Sequence, residues 1–161
     1  MVDVITRTMT QAEFDDWQRV LARQFADEQV AAGVWSADEA YDLARQGNTA
    51  RLPDGLATPE MLLLRGLRED RTPIGRLWIG LLHPRGVPGC AFLYDIEVDR
   101  EFRGLGYGRA LLRAGESVAK RHGAEQLELN VFGGNATAIA LYSSSGYRVV
   151  TQQMRKSLPQ P

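Results

Sequence analysis

The chain has 161 residues, 44% apolar and 24% charged, with a formal net charge of −1. That length suits one domain with a full core rather than two, and the charge balance gives no electrostatic case for nucleic acid as a partner. No apolar run approaches the about 20 residues of a membrane span, no basic-then-apolar leader opens the chain, and the single cysteine, Cys90, rules out an internal disulfide framework. The expectation is a soluble cytoplasmic protein with no nucleic-acid or membrane partner.

In chain order, residues 2–7 read as a short first strand. Thr10-Gln-Ala-Glu13 is a capping box, opening a helix whose Phe14, Trp17, Leu21 and Phe25 recur at helical spacing and which Gly33 stops. Ser36-Ala-Asp-Glu39 is a second capping box, and its helix is expected to end at Gly47. Leu52-Pro-Asp-Gly55 is a turn. Residues 61–66 and 74–82 are apolar strand-like runs joined through 69–73, and residues 83–89 form a loop. Residues 91–98 are the next strand, followed by a helix to about His122 with Gly123 as its stop. Leu127, Leu129 and Val131 alternate with Glu128, Asn130 and Phe132 as in a half-buried strand. Asn135 caps the next helix, Gly146 ends it, residues 147–154 are expected as a final strand, and residues 158–161 fray. Periodicity alone gives a mixed α/β domain with a central sheet.

The most informative stretch follows the strand at 91–98: Arg103-Gly104-Leu105-Gly106-Tyr107-Gly108-Arg109. Glycine lacks a Cβ, so the backbone there can bring its N–H groups against a ligand. At a helix N-terminus those groups and the positive end of the dipole suit an anion, most naturally phosphate. The glycines run G-x-G-x-G with no Lys-Ser/Thr, so neither the dinucleotide fingerprint nor the Walker loop fits. Arg103-x-x-Gly106-x-Gly108 resembles the pyrophosphate loop of the GNAT superfamily of acetyl-CoA-dependent N-acyltransferases. A helix start that uses Gly only for close packing is the alternative for the loop alone. Downstream, Asn130-Val-Phe-Gly-Gly-Asn135-Ala-Thr-Ala-Ile-Ala-Leu-Tyr142-Ser-Ser-Ser-Gly146-Tyr147 resembles the second GNAT signature.

The resemblance covers roughly residues 77–154 and implies the α/β GNAT fold, β-α-α-β-β-β-α-β-α-β. It implies one N-acetyltransferase domain over residues 1–161, with a variable acceptor-side region at 1–70 and an acetyl-CoA-binding core at 77–154. Ile96 and Val98 would hold the pantetheine arm by backbone hydrogen bonds, in the manner of an added strand. Arg103, Gly104, Leu105, Gly106, Tyr107, Gly108 and Arg109 would hold the pyrophosphate. Asn130, Asn135, Ala138 and Tyr142 would line the arm.

Acetyl transfer to an amine needs a neutral amine, a polarised carbonyl and a stabilised thiolate. A lysine-like amine titrates near about 10.4, so its proton must be removed. Tyr142 stands where GNAT enzymes carry a tyrosine beside the cofactor sulfur and is the candidate acid. The alternative is a tyrosine packed in the core with its hydroxyl satisfied locally. Asp95 and Glu97 lie on one face of an otherwise apolar strand, as candidate bases or as an ion pair with an arginine such as Arg76. Some GNAT proteins place a catalytic Glu where Asn130 stands here, and Asn cannot act as a base; Glu128 is a weaker candidate. His83 and His122 show no ligand constellation, so no metal is expected, and Cys90 reads as a small apolar filler. Trp35 is open between an acceptor pocket and helix packing.

The resemblance thus implies direct transfer of acetyl from acetyl-CoA to a primary amine in a ternary complex. The alternative is an acyl-CoA-binding module with weak or absent catalysis. The acceptor, small molecule or protein amine, stays open, as does the oligomeric state, a homodimer included.

Overall fold

The strand-like runs of the sequence form one five-stranded sheet in the computed structural model, which describes residues Met1–Pro161. Its strands, in spatial and chain order, are β1 (Ile5–Thr8), β2 (Met61–Leu67), β3 (Pro73–Gly80), β4 (Cys90–Val98) and β5 (Gln126–Leu129). Pairing is antiparallel from β1 to β4, and β5 lies parallel to β4. The helices are α1 (Gln11–Ala31), α2 (Ala40–Arg51), α3 (Tyr107–Arg121) and α4 (Ala136–Ser144). A parallel neighbour requires a crossover, and α3 is that crossover between β4 and β5. No helix is long and apolar enough to cross a membrane.

The first capping box forms as its residue types dictate. Glu13 N–H donates to Thr10 Oγ1 at 3.2 Å, and Thr10 N–H donates to Glu13 Oε2 at 2.8 Å. Arg7 adds two donors to the same carboxylate, each at 2.8 Å, tying β1 to the start of α1. Gly33, at φ +69°, ends α1 in the left-handed region.

The second capping box does not form. The Ser36 carbonyl accepts from the N–H groups of Glu39 and Ala40 in a turn, and α2 starts at Ala40 without a side-chain cap. Gly47 does not end α2, which continues to Arg51. Ala40 and Ala44 of α2 meet Ala22 and Ala26 of α1 in a seam of small side chains that lets the helices approach closely. With Asn48 also buried one residue beyond, packing outweighs the about 1 kcal/mol that an interior glycine costs.

Residues 147–154 form no strand, so the order of elements stops at α4 rather than returning to the sheet. The segment has no alternating apolar face: Val149 and Val150 are adjacent and exposed, and the polar run Thr151-Gln152-Gln153 follows. Single hydrogen bonds anchor this end of the chain instead. Tyr147 N–H donates to the Tyr142 carbonyl, and Arg155 donates to the Ala32 carbonyl at 2.8 Å.

Two apolar layers cover the sheet. On one face α3 buries Leu111, Leu112 and Val118 against Leu64, Leu77, Ile79 and Leu93. On the other, Phe14, Trp17 and Leu21 of α1 pack on Leu63 and Trp78. Gly66 and Gly75 are partners across β2 and β3, and together they make a dimple that receives Leu111. A Cβ on Gly75 would stand 2.4 Å from the Glu97 carbonyl oxygen and 2.9 Å from Leu111 Cδ2.

Gly75→Ala is therefore expected to destabilise the fold by about 1–3 kcal/mol, as overpacking against backbone does, read by denaturant unfolding. An unchanged midpoint would mean that β3 shifts freely. Glu13 yields a pH prediction. Its carboxyl is held down at about 2, first by the Arg7 hydrogen bonds and further by the Thr10 amide and nearby positive charge, against the cost of burial. Its folded value lies below its ordinary one, so its stabilisation is present above pH 4.5 and drains away as the pH falls towards about 2. Glu13→Gln should lower the melting temperature at neutral pH and flatten its decline across that window. Parallel melting curves for the two proteins would refute this.

Candidate active site

The site begins with a single extra residue in β4. Trp78 pairs with Asp95 and Ile79 with Leu93, so Tyr94 is a bulge. The bulged ring stacks on Trp78 at 4.5 Å between centroids, with Trp17 and Phe92 edge-on in the same aromatic row. Pairing with β5 stops at Leu93, immediately before the bulge, and burial along β4 falls from buried to half-buried at Tyr94. Beyond this point β4 continues to Val98 with no strand on its far side.

Which backbone groups face that gap follows from the ladder. Asp99 N–H donates to the Ile74 carbonyl at 2.8 Å, so Val98 opposite Gly75 is a non-hydrogen-bonded pair. The N–H and C=O of Val98 therefore point away from β3, and by the two-residue period those of Ile96 do too. These are the two residues named from the sequence for an added strand.

The glycine loop follows. Gly104 and Gly106 have φ of +73° and +90°, a region open to glycine at little cost, and Gly106 directly precedes α3. The N–H groups of residues 104–109 donate to no acceptor in the chain. Such a run of free donors at the positive end of a helix is an anion site in its chemistry. Gly108 packs 3.6 Å from Leu141 of α4, counting from the position of an added Cβ, so close packing is a second use of this glycine. Leu105 is exposed, and Tyr107 lies edge-on to Phe102. Arg109 donates to the hydroxyls of Ser144 and Ser145 at 2.7 and 2.9 Å, tying α3 to the end of α4. Arg103 donates from Nε to the Val98 carbonyl at 3.0 Å and from Nη2 to Glu97 at 2.6 Å.

Asp95 and Glu97 share a face, and that face meets α1. Arg76, only 8% exposed, lies between them: Nε donates to Asp95 Oδ2 and Nη2 to Glu97 Oε2, both at 2.8 Å. Trp17 Nε1 donates to Asp95 at 3.0 Å, and Gln24 bridges Arg76 and Glu97. Burial works against the Arg76 charge, but Asp95, with Glu97 and Asp99, more than compensates, and the guanidinium is held more firmly protonated. The ion pair left open by the sequence is thus formed. Trp17, Gln24 and Glu28 were not singled out as site residues. The signal was there: Trp17, Leu21, Gln24 and Glu28 continue one helical stripe, and its change from apolar to polar marks where α1 leaves the core. The Glu28 carboxylate makes no hydrogen bond or ion pair, and it is pushed up by partial burial and by Asp95 and Glu97.

Tyr142, on α4, is half-buried, and its hydroxyl makes no hydrogen bond within the chain. Burial, with Asp95 as a further cause, pushes its phenol up, so it stays protonated. Asn135 caps α4 by accepting from Ala138 N–H at 3.1 Å, so both residues sit at the helix start beyond β5, while Asn130 is exposed at the end of β5. Glu128 is taken up by His83 and by Arg85, the latter at 2.8 Å. Cys90 is buried with its thiol pushed up by that burial, as suits a filler, and Trp35 packs edge-on against Phe25.

The sequence pattern of the Acetyltransferase (GNAT) family matches residues 11–147. The uncharacterized N-acetyltransferase YycN of Bacillus subtilis is 32% identical over 96% of this chain and 99% of its own length. YdgE of the same organism, another uncharacterized N-acetyltransferase, is 30% identical over 93% of this chain and 95% of its own. The crystal structure of YycN superposes with a TM-score of 0.90 at 32% identity over 98% of this chain and 99% of that one. The PaiA N-acetyltransferase of Thermoplasma acidophilum, in complex with coenzyme A, shares the fold at a TM-score of 0.64 and 17% identity, covering 94% of this chain and 93% of its own. The chain belongs to the GNAT family, a family of N-acetyltransferase enzymes that use acetyl-CoA.

Proposed function

We propose that this chain transfers acetyl from acetyl-CoA to a primary amine, directly, with both substrates bound together. The observation that carries the reading is the continuity of backbone groups unpaired with any strand, from Ile96 and Val98 on the open edge of β4, where only the Val98 carbonyl is held by the Arg103 side chain, to the unpaired amides of residues 104–109. An extended amide-bearing arm ending in a pyrophosphate matches that order of donors and acceptors, arm on the strand edge and anion at the helix start. The PaiA complex supports it, since a protein of this fold holds coenzyme A. Acetyl-CoA supplies an activated thioester; the residues of the chain supply alignment and proton handling.

On this reading residues 77–154 carry the cofactor and residues 1–70 shape the acceptor side. Leu105 and Tyr107 flank the phosphate loop, Arg103 and Arg109 add cations there, and Asn130, Asn135 and Ala138 border the arm opposite β4. Tyr142 protonates the leaving thiolate: its hydroxyl is free, and its raised pKa keeps the proton on it until a strong base forms beside it. Asp95 and Glu97 face the acceptor, held by Arg76, and receive the proton of the incoming ammonium. The chain offers Cys90 buried and without an activating base, so a covalent acyl-enzyme is not part of the scheme.

The deciding experiment is free-thiol release from acetyl-CoA across a panel of small amines and amine-bearing peptides. Amine-dependent release supports the reading, and its absence for every amine alongside intact CoA binding would favour the binding module. Gly106→Val should weaken CoA binding at least about tenfold in calorimetry, because a β-branched side chain at φ +90° distorts the run of amides. Unchanged affinity in a folded variant would remove the loop from the site. Tyr142→Phe should bind CoA normally and lower kcat about 10²- to 10⁴-fold, a loss confined to the transition state. Full turnover would exclude Tyr142 as the acid.

A further inference from the structure

Arg103 stands at the border of both halves of the site and is committed to one of them. Its Nε holds the Val98 carbonyl, one of the acceptors on the open edge of β4, and its Nη2 holds Glu97 Oε1 on the α1 face. The guanidinium therefore lies across the edge that an added strand would use, one residue before the free amides of the glycine loop. While it holds this position it occupies the Val98 carbonyl, an acceptor that an added strand would need.

Glu97 is gripped by two arginines, and their surroundings differ. Arg76 holds Oε2 with its side chain 10% exposed, whereas the Arg103 side chain is 55% exposed. An ion pair in contact with solvent contributes little and is exchanged cheaply, but removing a buried partner leaves a charge stranded. Arg103 is thus the partner that leaves. When it does, Arg76 on Oε2 and Gln24 on Oε1 keep the carboxylate in place, and Oε1, left with only the 3.3 Å bond from Gln24, regains room for a second donor. Asp95 and Glu97 then share the single arginine Arg76, with the unpaired Glu28 carboxylate nearby, a balance that favours an incoming cation.

We propose that Arg103 is an exchanger that couples the two substrates. It holds Glu97 and the Val98 carbonyl in one arrangement, and it swings to the phosphates at the glycine loop in the other. The swing uncovers both the strand edge and the Glu97 oxygen that receives a hydrogen bond from the acceptor ammonium. Glu97 is therefore a residue of the amine site whose availability depends on the occupant of the phosphate site. This inference rests on the acetyl-CoA reading above.

A double-mutant cycle on CoA affinity tests it without any acceptor: wild type, Glu97→Gln, Arg103→Ala and the double variant in calorimetry. Glu97→Gln should tighten CoA about two- to fivefold, the range expected for releasing a solvent-exposed ion pair, because Arg103 is no longer held back. Arg103→Ala should weaken CoA, and in that background Glu97→Gln should change nothing. If Glu97→Gln does not fold, Glu97→Asp keeps a charge for Arg76 while shortening the reach to Arg103, and the same pattern is expected of it. An equal effect of the Glu97 change with and without Arg103, or a weaker rather than tighter complex, overturns the exchange and leaves the acetyl-CoA reading standing. A wild-type protein that does not bind CoA overturns both.

Discussion

A strand edge that ends in open space inside a fold is a liability, because backbone N–H and C=O groups away from partners cost free energy and invite pairing. The chain builds such an edge deliberately. The bulge at Tyr94 lets β4 lean away from β5, and pairing between them stops at Leu93. It also resets the alternation of side chains. Leu93 and Ile96, three apart and so on opposite faces of a regular strand, both pack towards α3, while Asp95 and Glu97 turn to α1. One inserted residue thus creates the cleft and decides which chemistry lines each wall. The aromatic row of Trp17, Trp78, Tyr94 and Phe92 holds the distorted strand in place.

The acidic wall exists only because β3 offers a cation at the matching register. Arg76 is paired directly with Glu97 across the ladder, two pairs from Trp78 and Asp95. Two carboxylates under α1 would be untenable alone, and Arg76 without them would be a stranded charge. The cluster is therefore a mutual requirement, and a change in one member is felt by all. That makes Asp95 and Glu97 unlike carboxylates free in solvent: their oxygens are held by hydrogen bonds from Arg76, Trp17 and Gln24. If these carboxylates act on the acceptor as proposed, such placement means that little has to reorganise when charge moves.

Much of this was legible in the sequence. The capping box at Thr10, the glycine stops at Gly33 and Gly123, the same-face carboxylates and the loop before α3 all rest on local chemistry that a linear reading captures. The misses share one cause, which is that local signals were outvoted by packing. Gly47 reads as a stop, yet the alanine seam between α1 and α2 carries the helix through it. Ser36-Ala-Asp-Glu39 has the letters of a capping box but sits in a turn whose carbonyls are already used. Residues 147–154 carry enough Val and Tyr to read as a strand, but no alternation with which to fasten to β5. The Gln24 and Glu28 contributions lay hidden for a different reason: only the fold brings α1 over β4, and polar residues on a helical stripe look like its solvated end until then.

Two tyrosines near the end of α4 show how environment, more than residue type, assigns a role. Their rings are 5.7 Å apart and both are half-buried, so both phenols are pushed up by burial. Tyr147 donates its hydroxyl to Glu116 of α3 at 2.9 Å, which adds a carboxylate's repulsion to that of burial and anchors the chain after α4. Its proton is spent on structure. Tyr142 has the same ring, the same helix neighbourhood and no such partner, and the charge that acts on it is Asp95 from the opposite wall of the cleft. A hydroxyl that is protonated and unbonded still has its proton to give, as the proposed role of Tyr142 requires. The resemblance to the family signature points to Tyr142 by position; the hydrogen bond that Tyr147 makes and Tyr142 does not is the physical reason that only one of the pair has an uncommitted hydroxyl.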